Sequence, residues 1–206
     1  MLRASLIAIL ALLTTACGRN DDSTPPAAPP DPSMAGTPAP ASSAPAPTEN
    51  ATVQLAPTQG NSVTGSLSAE AVADGVRFTG TLQGLKPDSE FGFHVHENGD
   101  CSAPDASSAG AHFNPAQAQH GDPAAGTAHH AGDMLNVRSD AQGVAQVDTT
   151  AKGTTLSSGQ PTDVVGKAVV VHAGPDDYNT QPSGNSGARI ACGVISIVTD
   201  ATTQTQ

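Results

Sequence analysis

Residues 51–199 predict an all-β domain, a sandwich or flattened barrel of short antiparallel strands. Three observations carry that expectation. Apolar and polar residues alternate with a period of two in one segment after another. The 21 Gly and 17 Pro of the 206-residue chain favour turns and extended backbone over long helices. No stretch shows the apolar stripe of an amphipathic helix.

The strands follow in order. Residues 52–55, 62–67 and 76–82 alternate, and 91–96 continue the series. Later come 144–147, 168–172 and 194–198. Asp140-Ala141-Gln142-Gly143 reads as a hairpin turn between Leu135-Asn136-Val137 and Val144. The Thr/Gln tail after Asp200 has nothing to pack with and is expected to fray. Residues 97–133 break the series, with no strand period. A loop that long inside a compact domain must be functional or pinned. It holds Cys101 and four of the seven histidines, so a disulfide and metal can both pin it.

The chain upstream is an address and a spacer. In residues 1–16, Arg3 is a positive start and residues 6–13 are an apolar run too short to span a bilayer. That is an export signal. It ends at Thr14-Thr15-Ala16-Cys17, which resembles a bacterial lipoprotein cleavage box with Thr where Leu is usual. Lipid on Cys17 would make it the mature N-terminus and a membrane anchor. Ordinary signal cleavage nearby is the alternative. Residues 17–50 carry 9 of the 17 prolines among Ala, Ser and Thr, which cannot bury a core, so they read as an extended tether. Residues 51–206 are then the functional domain, placed in the periplasm or cell envelope.

Charge and composition exclude one partner class. Lys+Arg number 8 against 19 Asp+Glu, a formal charge of −11, with no Trp and one Tyr. Neither a basic patch nor a stacking platform for nucleic acid can be built from that. If Cys17 carries lipid, Cys101 and Cys192 remain. An exported domain favours one disulfide over two buried thiols.

All seven histidines lie between positions 94 and 172. His94 and His96 sit two apart on a strand, so both rings leave one face. His112, His120 and His130 occupy the long loop, followed by Asp133. Three imidazoles and a carboxylate suit a closed four-coordinate zinc site. His172 ends the run Val169-Val170-Val171 and comes off a buried strand. Together these residues exceed what one ion needs.

The segments Gly92-Phe93-His94-Val95-His96-Glu97, Gly110-Ala111-His112-Phe113-Asn114-Pro115, His120-Gly121, His130-Ala131-Gly132-Asp133, Val170-Val171-His172 and Gly187-Ala188-Arg189-Ile190-Ala191-Cys192-Gly193 resemble copper,zinc superoxide dismutases, in the family's order and at similar spacings. The resemblance covers about residues 52–198. It implies an eight-stranded Greek-key β-barrel with two long active-site loops, an architecture grouped with the β-sandwiches. It implies copper ligands His94, His96, His112 and His172, and zinc ligands His112, His120, His130 and Asp133. His112 would bridge the two metals, and His129 competes with His130 only if the register slips. It also implies a Cys101–Cys192 disulfide, with Arg189 docking the superoxide anion. Asp176, with Asp177 as its neighbouring candidate, would bridge one copper histidine and one zinc histidine.

The implied activity is dismutation of superoxide to dioxygen and hydrogen peroxide. Two other readings are a periplasmic copper/zinc-binding protein without turnover and an interaction module on the tether. The spacing between Cys101 and His112 resembles the bacterial branch, and subunit contacts differ between branches, leaving monomer or homodimer. Residues 173–188 contain no Lys. Steering of the anion would lean on Arg189, the metals and Lys167.

Overall fold

The computed structural model describes residues 50–198. The export signal, Cys17, the tether up to residue 49 and the tail beyond 198 lie outside the described residues. Within them the chain forms nine strands. These are β1 (Asn50–Pro57), β2 (Thr64–Val72), β3 (Gly75–Gln83), β4 (Glu90–Phe91), β5 (Phe93–His96), β6 (Val137–Arg138), β7 (Ala145–Lys152), β8 (Ala168–His172) and β9 (Arg189–Ile197). One 3-10 turn, Ser107–Ala109, interrupts the long loop. Seven strands join in the order β5-β8-β9-β1-β2-β3-β7, all antiparallel, as an almost closed barrel. β4 and β6 make a separate two-stranded ribbon.

Alternation decides which side chains point inward. In β1, Ala51, Val53 and Leu55 are buried while Gln54 is exposed. In β3, Val76, Phe78 and Leu82 do the same. β8 is buried along its whole length, so both its faces must be covered. Val169 and Val171 join the barrel core. Ala168 and Val170 pack outward against Ala106, Ala109 and Cys192, with Cys101 beside them. The outer cover is thus the loop that the Cys101–Cys192 disulfide fastens to β9 across 91 residues of chain.

Two expected elements differ in detail. β2 runs on past Leu67 to Val72, because ladders to β1 and β3 on both sides override the weak strand propensity of its alanines and glutamate. The Asp140 turn forms, with Asp140 N–H donating to Val144 O at 2.8 Å and Gly143 φ at 73°. β6, however, pairs with β4 rather than with β7. Leu85 N–H and Asp88 N–H donate to Gly143 O and Asp140 O, so the turn is bound to the segment before β4 and carries β6 alongside it.

A three-membered backbone ring ties the long loop to β5. Val95 N–H donates to Gly132 O (2.9 Å), Phe113 N–H to Val95 O (2.8 Å) and Gly132 N–H to Phe113 O (2.8 Å). His94, His96, His112 and Asp133 each flank a member of that ring. A side chain at Gly132 would collide with Val95 O and crowd Phe113 N. Gly132→Ala is therefore expected to destabilise the metal-free chain by about 1–3 kcal/mol, through overpacking against backbone. Thermal unfolding by calorimetry checks this. An unchanged midpoint would show that the loop docks by some other means.

Candidate metal centre

Asp133 is fully buried and sits where three imidazoles converge. Nδ1 of His112, His120 and His130 approach its Oδ1 to 2.8, 3.0 and 3.4 Å. Its other oxygen accepts the backbone N–H groups of Gly121 (3.1 Å) and His130 (2.9 Å), which fix the carboxylate's orientation. Nδ1 of His120 and of His130 nevertheless have no hydrogen-bond partner. These sealed nitrogens lie within 4.8 Å of the cluster's other ligand atoms, close enough to share one ion.

The second cluster shares His112. The ligand atoms of His94, His96, His112 and His172 lie within 4.8 Å of one another, as do those of His112, His120, His130 and Asp133. His96 Nδ1 donates to Gly110 O (2.9 Å) and His172 Nδ1 to Gly187 O (3.1 Å). Carbonyls only accept, so both Nε2 atoms carry lone pairs, and they face each other at 3.4 Å. Two lone pairs at that distance repel unless a cation lies between them. His94 Nδ1 and His112 Nε2 are buried without partners on the same side. His112 thus turns Nδ1 toward one cluster and Nε2 toward the other. The unpartnered nitrogens, with donor sets of four nitrogens and of three nitrogens plus one oxygen, fit two metal ions sharing one imidazole.

Asp176 joins the clusters from behind. One oxygen binds His94 Nε2 (2.7 Å) and the other His120 Nε2 (2.9 Å). Each contact commits Nε2 and leaves Nδ1 for metal, the usual work of a carboxylate behind a ligating histidine. Asn136 grips the backbone of Asp176 through both ends of its amide, each at 2.9 Å. Gln181 grips His120 the same way, at 3.0 and 2.9 Å. Asp177 is exposed and caps the loop through Asn179 and Thr180. His129 is half-buried and bonds Thr127 O, outside both clusters.

Burial sets the protonation of the metal-free site. It lowers His112 to about 4 against the pull of Asp133, and lowers His172 to about 3 with help from His94. His96 is held well below the usual imidazole range by burial and then by His112. Burial also opposes charge on His120, but Asp133 and Asp176 outweigh it and raise that ring to about 9. Burial pushes Asp133 and Asp176 up, yet the rings beside them hold both far below the usual carboxylate range.

A cleft of about 710 Å³ opens onto the shared cluster, lined by His96, His112 and His172 at its floor and by Arg189 at its wall. Arg189 donates from Nη1 to Ala106 O (2.6 Å) and from Nη2 to Gly110 O (2.5 Å). Gly110 O therefore serves His96 and Arg189 together. Among the described residues, Arg189 is the one cationic side chain lining this cleft. Lys167 does not line it. Its Nζ lies 5.1 Å over the Phe113 ring, and it borders a different depression with Asp163 and Val165. Lys167 is thus removed from the steering charges expected at the mouth.

Fold and site together define a β-barrel protein with two fused, histidine-rich metal clusters at the foot of a narrow cleft. The model of the copper/zinc superoxide dismutase (SODC) family matches residues 63–195, and the chain belongs to that family. It is 43% identical over 126 residues to superoxide dismutase [Cu-Zn] 2 of Aquifex aeolicus, covering 59% of this chain and 72% of that one. It is 38% identical over 148 residues to the superoxide dismutase-like protein YojM of Bacillus subtilis, covering 69% and 74%. A crystal structure of a SOD-like protein from Bacillus subtilis matches with a TM-score of 0.62 at 38% identity, covering 69% of this chain and 96% of that one. The clock protein EA4 matches with a TM-score of 0.64 at 36% identity, covering 73% and 96%.

Sequence reasoning missed the supports: Asn136, Gln181 and the carbonyls of Gly110 and Gly187. Backbone acceptors leave no mark in a sequence, and an amide two-point grip has no fixed spacing.

The protonation pattern predicts how stability of the metal-free chain depends on pH. His112 and His172 stay neutral when folded, to about 4 and 3, but take protons below 6.5 when unfolded. Their contribution is present above 6.5 and lost as pH falls below it, since the unfolded chain then binds more protons. Asp133 and Asp176, depressed when folded, add to the acid loss below about 4. His120 runs the other way, present below 6.5 and lost as pH passes about 9. The urea midpoint is expected to peak near pH 6.5 and fall on both sides. A midpoint that rises from pH 6.5 to 4.5 would contradict it.

Proposed function

We propose that the protein is a copper- and zinc-dependent superoxide dismutase of the bacterial cell envelope. The shared His112 carries the reading: its Nε2 stands unpartnered at the floor of a cleft whose wall is a fixed guanidinium. His94, His96, His112 and His172 would hold copper, since an imidazole set beside an open cleft suits it. His112, His120, His130 and Asp133 would hold zinc, in the closed set typical of a structural site. Copper, when bound, supplies the one-electron redox chemistry, and zinc, which has no redox step, keeps the closed cluster in shape.

The protein's residues supply the rest. Arg189 is permanently protonated and presents a planar donor fork, which suits docking a small anion. One superoxide gives up its electron and leaves as dioxygen. The second gains that electron and two protons and leaves as hydrogen peroxide. His112 Nε2 is the protein atom placed to hold one of those protons between the halves, and solvent brings the other. Asp176 keeps His94 and His120 from turning while His112 takes up and gives back that proton.

Metal holding without turnover is the competing reading, since one relative is named only dismutase-like. The complete donor sets and the cleft-lining Arg189 favour turnover. Superoxide consumption by the full chain loaded with copper and zinc, with chelator silencing free copper, separates the two. The rate is expected to fall with rising salt, and by about tenfold or more in Arg189→Ala, as loss of a steering charge demands. A rate equal to chelated buffer, with both metals bound, leaves a metal-binding protein.

The location rests on the sequence: an export signal, a cysteine placed for lipid, and a tether that holds the domain off the membrane. Cys17→Ser is expected to move the protein from the membrane pellet to the soluble fraction. Unchanged pelleting would exclude the anchor.

A further inference from the structure

We infer that Thr58, in the turn between β1 and β2, is the positioning residue that sets where Arg189 stands over the cleft; the inference rests on the dismutase reading of that cleft. β1 pairs with β9 as far as Pro57 opposite Ala191. Proline has no N–H, so the ladder cannot continue in the ordinary way. Thr58 takes over the next two acceptors of β9. Its N–H donates to Ile190 O (3.2 Å) and its hydroxyl to Arg189 O (2.8 Å), across 131 residues of sequence. Thr58 is 8% exposed, although a turn threonine ordinarily faces solvent.

The turn holds both halves of the arginine's environment. Asn61 Nδ2 donates to Thr58 Oγ1 (2.8 Å), which aims the hydroxyl proton at Arg189 O, and Asn61 N–H returns to Thr58 O (3.0 Å). Gln59 N–H donates to Pro104 O (2.7 Å), two residues before Ala106, whose carbonyl receives the guanidinium. One turn therefore fixes the backbone from which Arg189 departs and the loop on which its head rests. Without the hydroxyl, Arg189 O loses a partly buried partner at the first residue of β9, where the β1–β9 ladder has already ended. The shift passes to the guanidinium through a short lever.

The test uses the full chain loaded with copper and zinc, and azide as a small anion titrated optically against the cupric form. Thr58→Val keeps the shape and removes the hydroxyl. It is expected to weaken azide binding and lower kcat/KM for superoxide by about twofold to tenfold, what one net hydrogen bond is worth, with metal content and the unliganded copper spectrum unchanged. Thr58→Ser should restore both. In an Arg189→Ala background, Thr58→Val should change azide affinity by less than about 1.5-fold, because the coupling runs through the arginine. Equal azide affinity in Thr58→Val and the parent overturns the proposal, as does an equal loss with and without Arg189. Should Thr58→Val not fold, Asn61→Ala at the exposed end of the turn carries the test, with a smaller loss in the same direction, and no loss overturns it. A parent chain that binds azide but turns over no superoxide defeats the dismutase reading alone, and the azide comparison still decides the role of Thr58.

Discussion

Buried imidazole nitrogens without partners are the constraint to which the rest of the structure answers. Four ring nitrogens, on His94, His112, His120 and His130, are sealed from water and bonded to nothing. Each such group costs about 1–3 kcal/mol, and folded domains have only about 5–15 kcal/mol in hand. A sequence selected for folding alone would replace these rings with apolar side chains. Their retention makes sense when cations complete them, because metal binding then becomes folding free energy. The rings must also be held before the ions arrive, and that explains the density of hydrogen bonds behind them. Gly110 O, Gly187 O and Asp176 each take the nitrogen that metal does not need.

The barrel supplies rigidity at the places where the clusters need it. β8 can carry His172 because both its faces are packed, inward by the core and outward by the disulfide-bound loop. β5 can carry His94 and His96 because the Val95–Phe113–Gly132 ring closes its free edge. That edge would otherwise expose unpaired backbone. The long loop thus closes one side of the site, anchored by Cys101 at its start and by Asp133 at its end. Gly110, near its middle, adopts φ 76° and ψ −153°, a conformation available almost only to glycine. The resulting backbone direction turns one carbonyl toward both His96 and Arg189.

How far the sequence reveals this depends on the kind of interaction. Strands with clean alternation, such as 52–55 and 76–82, show plainly because burial is written into side-chain polarity. The ligand residues show because imidazoles and cysteines are scarce and chemically particular. The second half of β2 does not show, because Ser68–Val72 owes its strand to neighbours on both sides rather than to its own residues. Nor does the β4–β6 ribbon, whose partners are set by the backbone contacts of the Asp140 turn. Lys167 is an instructive failure. Its charge suggests a place near the mouth, whereas the turn that leads into β8 sets it over the face of Phe113. Thr58 is the same lesson reversed, a polar turn residue drawn inward by the acceptor that proline leaves open.

The electrostatics of the cleft follow from these placements rather than from the net charge of −11. Carboxylates dominate the chain, but the two nearest the clusters, Asp133 and Asp176, are buried and share the protonated His120 between them. Glu97, at the rim, directs an oxygen to Ala111 N–H (3.1 Å). His96, His112 and His172 are kept neutral by burial, so they add no positive charge of their own to the metal-free cleft. The attraction felt by an anion entering the cleft therefore comes from Arg189 and from whatever cations the clusters hold. With so few sources, small displacements of one guanidinium change the local field more than any surface charge can, since exposed charges are screened within about 8 Å at physiological salt. A protein that relies on a single arginine in a negative molecule must fix that arginine from both ends, and β9, the disulfide loop and the β1–β2 turn converge on it for that reason.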